Sequence, residues 1–295
     1  MENNDTKNRS KPVFRANDYS FWRYLAFVIG GFVGGQVIGA AIGAVITRLL
    51  PVFREGGVLH QYEEAYLTLI AFAFTFFFVL LMMKQILNTD FKSSVTGNRP
   101  YKYGFAAGCA AVYIAVTLVY LLLSRERISA NPAPAEARII SLIVVLLLVP
   151  LQAATEELLF RTTLGRLFIR NEQPKNIWKI LGISLISGAV FLIPHLTNPE
   201  VAAYGMVEAF FSYFLVGFTL MLISLLTGSF EGAVIVHVIN NIYAFMIVTG
   251  EVSAASFPAF FVEKDGGVLA TCGFYSALYV LLVVWTGIFK KINNK

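Results

Sequence analysis

Charged side chains are scarce in this sequence. Only 14% of its 295 residues are Asp, Glu, Lys or Arg, against about a quarter in soluble domains. That excludes an ordinary water-soluble globule. Cysteine is nearly absent: Cys109 and Cys272 stand alone in apolar segments, so neither a disulfide framework nor a cysteine metal spacing exists. Redox chemistry is not indicated. The net charge of +5 is scattered through loops, which excludes the clustered basic footprint of a nucleic-acid binder. The first apolar stretch is too long for a signal-peptide core and lacks a small-residue cleavage site, so it reads as a retained span.

Apolar residues fill the space, at 57% of the chain, with 26 Phe and 13 Tyr suited to lipid-facing surfaces and interfacial belts. The expected fold class is an all-α membrane protein. Eight spans of helical length can be drawn, at about 24–47, 65–87, 104–124, 139–168, 179–196, 203–226, 230–249 and 268–289. The first carries Gly31, Gly35, Gly39 and Gly43, a small-residue stripe that lets another helix approach closely. Sixteen of the 23 basic residues fall in the segments on the side of the N-terminus, six fall in the opposite segments, and Arg161 lies within a span. This bias places both termini in the cytoplasm of a multi-pass cell-membrane protein.

The organisation follows from these spans. A polar cytoplasmic tail (1–20) precedes a three-span part (21–124), and a Pro/Ala-rich outer loop, RERISANPAPAEAR, follows it. A core at 139–250 built on the fourth to seventh spans comes next. The remainder, 251–295, holds an outer loop, the last span and a basic C-terminal tail.

The core's first span departs from lipid chemistry. Within it lie Glu156, Glu157 and Arg161, and an ionisable group at mid-membrane costs roughly 2.5–3.5 kcal/mol even on the gentlest insertion scales. Such groups need partners, a wet cavity or a chemical task. Glu157 and Arg161 are four apart and pair along one helix face. Glu156 lies about 100° round the helix and is left without a local cation. A polar gap lined by all three is the plainer alternative. Two of the three histidines also lie in spans: His195 closes FLIPH, with Phe191 one turn before it, and His237 precedes Asn241 by four residues. Singly, each suits a core histidine bonded to a backbone carbonyl. Together with Glu156 they form a set of base, proton-carrying and hydrogen-bond-donating types. Counting 1.5 Å per residue, Glu156 lies about 15 Å from the inner edge and His195 about 24 Å, so the depths do not all agree.

The spacing of these residues resembles a known family. EELLFR (Glu156, Glu157, Arg161), FLIPH (Phe191, His195) and HVINN (His237, Asn241) resemble the EExxxR, FxxxH and HxxxN motifs of the CAAX protease and bacteriocin-processing family, CPBP or Abi, over about 139–250. Thr227-Gly228-Ser229 is similar to the family's approach to the third motif, and Pro194 is a departure. The resemblance implies an intramembrane endopeptidase acting on a peptide or lipidated peptide near the cytoplasmic side of the membrane. It makes Glu156 the base for the attacking water, helped by His195. It makes His237 and Asn241 oxyanion stabilisers, with Glu157, Arg161 and Phe191 in support.

No cofactor is expected on this reading. The competing mechanism is zinc held by Glu156, His195 and His237 with an open fourth position. No HExxH is present. Two other functions compete with proteolysis: bacteriocin self-immunity or a receptor-type role on the same fold, and proton-coupled transport, against which stands the lack of a visible internal repeat. Membrane lipids are the expected surroundings, no nucleic acid is expected to bind, and the substrate and oligomeric state are left open.

Overall fold

The structure, a computed structural model, describes residues 20–96, 100–169, 174–264 and 268–293. The polar tail, apart from residue 20, lies outside them, as do Arg99, Arg170 and Lys295. The chain is an all-α polytopic membrane protein. Among the described residues, seven helices are long and apolar enough to cross a membrane: α1 (Phe21–Leu49), α2 (His60–Ile86), α3 (Tyr103–Leu123), α4 (Ala135–Gly165), α5 (Ile177–His195), α6 (Met206–Thr227) and α8 (Ala270–Ile292). Continuous apolar runs become helices in lipid because every backbone N–H and C=O must be satisfied within the segment. Outward-facing side chains such as Trp22, Leu122, Leu147 and Trp178 are largely exposed, as lipid contact requires.

The eighth expected span, 230–249, differs. Its helix α7 is shorter, Glu231–Ile247, about 25 Å at 1.5 Å per residue. It starts at Glu231, whose Oε1 accepts the Lys102 backbone N–H at 3.0 Å. At its other end the chain passes straight into a strand. Strands β1 (Ile128–Ala130), β2 (Val248–Gly250) and β3 (Phe261–Glu263) form a small sheet in the order β1-β3-β2, with β1 antiparallel and β2 parallel to β3. The sheet joins the 125–138 loop to the segment that follows α7.

Close approach of helices follows the small residues. A Cβ on Gly39 would lie 2.4 Å from the Ala71 carbonyl oxygen, and one on Gly35 2.9 Å from the Thr75 Cα. The glycine stripe is therefore the α1–α2 contact. Gly217 meets Gly188 and Phe191 in the same way, drawing α6 against α5. Helix α7 packs against both α3 and α4, and α8 against α3 and α6. Gly228, at φ +71°, is the left-handed residue that ends α6. Its N–H and that of Ser229 both return to the Ser224 carbonyl, at 2.7 and 3.2 Å. That tight stop is what reverses the chain into α7.

Candidate active site

Two adjacent carboxylates, an arginine and an imidazole form the centre. Glu157 and Arg161 are 1% and 0% exposed, and Arg161 Nη1 lies 3.1 Å from Glu157 Oε1. The guanidinium also sits over the Phe191 ring, 3.7 Å from its centroid, which partly replaces the water it has lost. The same Glu157 Oε1 accepts from His237 Nδ1 at 2.7 Å. Arg161 thus holds Glu157, and Glu157 sets the ring of His237 with Nε2 facing away. That nitrogen lies 3.5 Å from Glu156 Oε2.

Glu156 is therefore not alone, as the helix by itself suggests: the imidazole from α7 stands beside it. Its other oxygen is 3.5 Å from Gln152 Nε2, one turn earlier. The carboxylate is buried, and Oε2 makes no hydrogen bond. Asn241 lies in the same helix as His237 and lines the same space. Its orientation comes from a neighbour that the motif does not contain. Tyr113 O–H donates to Asn240 Oδ1 at 3.0 Å, and Asn240 Nδ2 donates to Asn241 Oδ1 at 3.1 Å. With its oxygen engaged, Asn241 presents its amide N–H groups.

His195 is placed differently from the other three. It lies in a single turn of tight helix, Ile193–His195, that finishes α5, and its Nδ1 donates to the Phe191 carbonyl at 2.7 Å. Its ring stacks on Tyr213 with centroids 4.3 Å apart. Phe191 stands between the two imidazoles, 4.5 Å from His195 and 5.8 Å from His237. His195 lines the common cavity. Behind it, Tyr213 O–H donates to Glu200, and Asn198 Nδ2 donates to Tyr213 at 2.9 Å and to Glu200 at 3.3 Å.

These residues line one cavity of about 420 Å³, within the usual range for a small-ligand site. It runs from Phe32, Glu156 and Phe160 at mid-bundle to Tyr204, Gly250 and Ser253 at the sheet end. Four widened, π-helical turns interrupt the spans, at Gly30–Gly34, Leu158–Thr162, Phe210–Phe214 and Tyr243–Ile247. Each lends a side chain to the cavity wall: Phe32, Phe160, Tyr213 and Tyr243. Such turns leave a backbone carbonyl without its regular partner. In α4 the Thr162 and Thr163 hydroxyls answer this, donating to the Glu157 and Leu158 carbonyls at 2.7 and 2.6 Å.

Among the described residues no three of His, Cys, Asp and Glu converge at metal-ligand spacing. The His195 ring packs against Phe191, with centroids 4.5 Å apart. No step below is routed through a metal.

The profile of type II CAAX prenyl endopeptidase Rce1-like proteins matches residues 138–243. That segment holds Glu156, Glu157, Arg161, Phe191, His195, His237 and Asn241. An uncharacterised protein of Bacillus subtilis strain 168, YyaK, is 30% identical over 210 residues, covering 69% of this chain and 68% of its own. No solved structure matches. The chain belongs to the CAAX protease and bacteriocin-processing family, CPBP or Abi, of membrane proteins.

Proposed function

We propose that the protein is an intramembrane endopeptidase that cleaves a peptide bond with a water activated by Glu156 and needs no cofactor. One observation carries this reading: a buried carboxylate with an oxygen free of hydrogen bonds faces a cavity, beside an imidazole whose ring is fixed by a second carboxylate. A water held between Glu156 and the substrate carbonyl loses a proton to Glu156 Oε2 as its oxygen attacks the carbonyl carbon. The oxyanion that forms is met by the Asn241 amide, preset by Asn240, and by an imidazole N–H. Such donors are most effective where water is excluded. The C–N bond then breaks as Glu156 returns the proton to the leaving nitrogen.

Roles within the set follow the geometry. His237 is the imidazole in contact with Glu156. His195, across Phe191 and stacked on Tyr213, is suited to hold the substrate carbonyl or the departing amine. Glu157 and Arg161 position His237 from behind the cavity lining, and Phe191 packs against both imidazoles on the cavity wall.

The cavity extends from Glu156 toward the sheet. With both termini in the cytoplasm, as the charge bias favours, a peptide reaches Glu156 from the outer side. The family resemblance implies cytoplasmic presentation instead, and labelling from either face of the membrane separates the two. A Glu156→Gln variant in cells tests the function: it is expected to insert normally and to accumulate uncut peptides that the wild type removes. Normal processing by the variant refutes the proposal. Activity that survives chelation supports the cofactor-free mechanism, whereas restoration by zinc alone defeats it.

A further inference from the structure

The outer part of the cavity is acidic and aromatic. Besides Glu156 at its base, Glu200, Glu208 and Glu263 line it, and among the described residues no Lys or Arg does. These carboxylates are not equivalent. Glu263 is answered by Arg127 at 3.3 Å and by the Tyr120 hydroxyl at 2.8 Å. Glu200 has one oxygen bound by Asn198 and Tyr213, while Oε2 is buried and makes no hydrogen bond. No donor to Glu208 is found among the described residues, and it lies within electrostatic reach of both Glu200 and Glu263.

Carboxylates gathered in a partly desolvated space repel one another until a proton or a cation joins them. Here the protein supplies a cation for Glu263 alone. Two carboxylate oxygens of this one cavity, Glu200 Oε2 and the Oε2 of Glu156, itself 4% exposed, are buried and lack a hydrogen-bond partner, which points to a ligand in this space. The wall also carries Tyr204, Tyr213, Tyr243 and Tyr275, whose ring faces attract positive charge.

We propose that Glu200 and Glu208, walled by these tyrosines, form a subsite for a cationic group on the substrate, a Lys or Arg side chain or a free amino terminus. The subsite deepens the endopeptidase reading and rests on it. It lies along the way to Glu156, so it selects which segment of a peptide is drawn to the base. An acidic peptide is turned away by the same charges.

The test uses the full-length Glu156→Gln protein in neutral detergent, so that binding is read without turnover. The probes are an apolar peptide with a Lys pair and its counterparts with a Gln or a Glu pair, each with an uncharged dye, followed by anisotropy. The Lys peptide is expected to bind about tenfold more tightly than the Gln peptide at low salt, with the advantage shrinking as salt is added. The preference should vanish in Glu200→Gln/Glu208→Gln and turn toward the Glu peptide in Glu208→Lys. Glu208 makes no hydrogen bond that its replacement would break, and elution as a single species shows each variant folded. Equal binding of the Lys and Gln peptides, no binding of any, or a Lys preference that survives the double substitution overturns the proposal. The two readings fail separately. Wild-type protein that binds the Lys peptide without cutting it sinks the hydrolase and leaves the subsite. Cleavage indifferent to charge does the reverse.

Discussion

Arg161 is a fully buried cation whose charge is met by Glu157 and by the Phe191 ring. Truncating one partner of such a pair leaves the other charge stranded, at a cost of about 3–5 kcal/mol. Arg161→Ala is therefore expected to melt well below wild type in a detergent thermal scan, with Arg161→Lys falling between. Asn240 calls for a different readout. It orients Asn241, so Asn240→Ala should slow cleavage with little change in KM. Asn241→Ala, which removes the donor itself, should lower kcat by about 10²–10³. Glu156, His195, His237 and Asn241 were legible in the sequence because lipid excludes such side chains, and each stood out from an apolar run. Asn240 stood beside Asn241 in the same span and was passed over. Its meaning depends on Tyr113, 127 residues earlier, a pairing that only folding creates. Glu200 and Tyr213 were hidden for the same reason.

At the level of helices, contacts set by glycine can be separated from glycines without a packing duty. Gly39→Ala would drive a Cβ into the Ala71 backbone, whereas a Cβ on Gly182 meets nothing within 4 Å. The first substitution should lower the melting temperature and loosen α1 from α2. The second should be neutral or slightly stabilising, since Ala exceeds Gly in helix propensity by about 1 kcal/mol. The spans themselves were readable from apolar length, and so was the glycine stripe. The shortness of α7 was not, because Val248–Gly250 is as apolar as a helix end but continues as a strand, paired to a segment thirteen residues on. The π-helical turns left no mark in composition at all. They depend on hydroxyls and ring packing that become available only when the helices meet.

For the molecule as a whole, the open question is which face of the membrane the cavity addresses. Ala254 is exposed and lines the cavity, while Lys92 is exposed near the opposite end of the bundle. In a background with Cys109 and Cys272 replaced by alanine, Ala254→Cys is expected to react with an impermeant maleimide added to intact cells. Lys92→Cys should react only after permeabilisation. The reverse pattern would place the cavity on the cytoplasmic side and return the substrate to that compartment.

The widened turns carry a genetic consequence. Each π-helical turn holds one residue more than a regular helix would need, so removing a single codon there lets the hydrogen-bond ladder close without breaking. Residues beyond it would keep their faces, because the widened turn already absorbs the extra residue, while the side chains within the turn would change position. A one-codon deletion within Phe210–Phe214 would thus keep the span and rotate Tyr213 or Ser212 out of the cavity wall. Lineages carrying this scaffold could exchange one specificity for another by gain or loss of a single triplet, where point substitution alone would move more slowly.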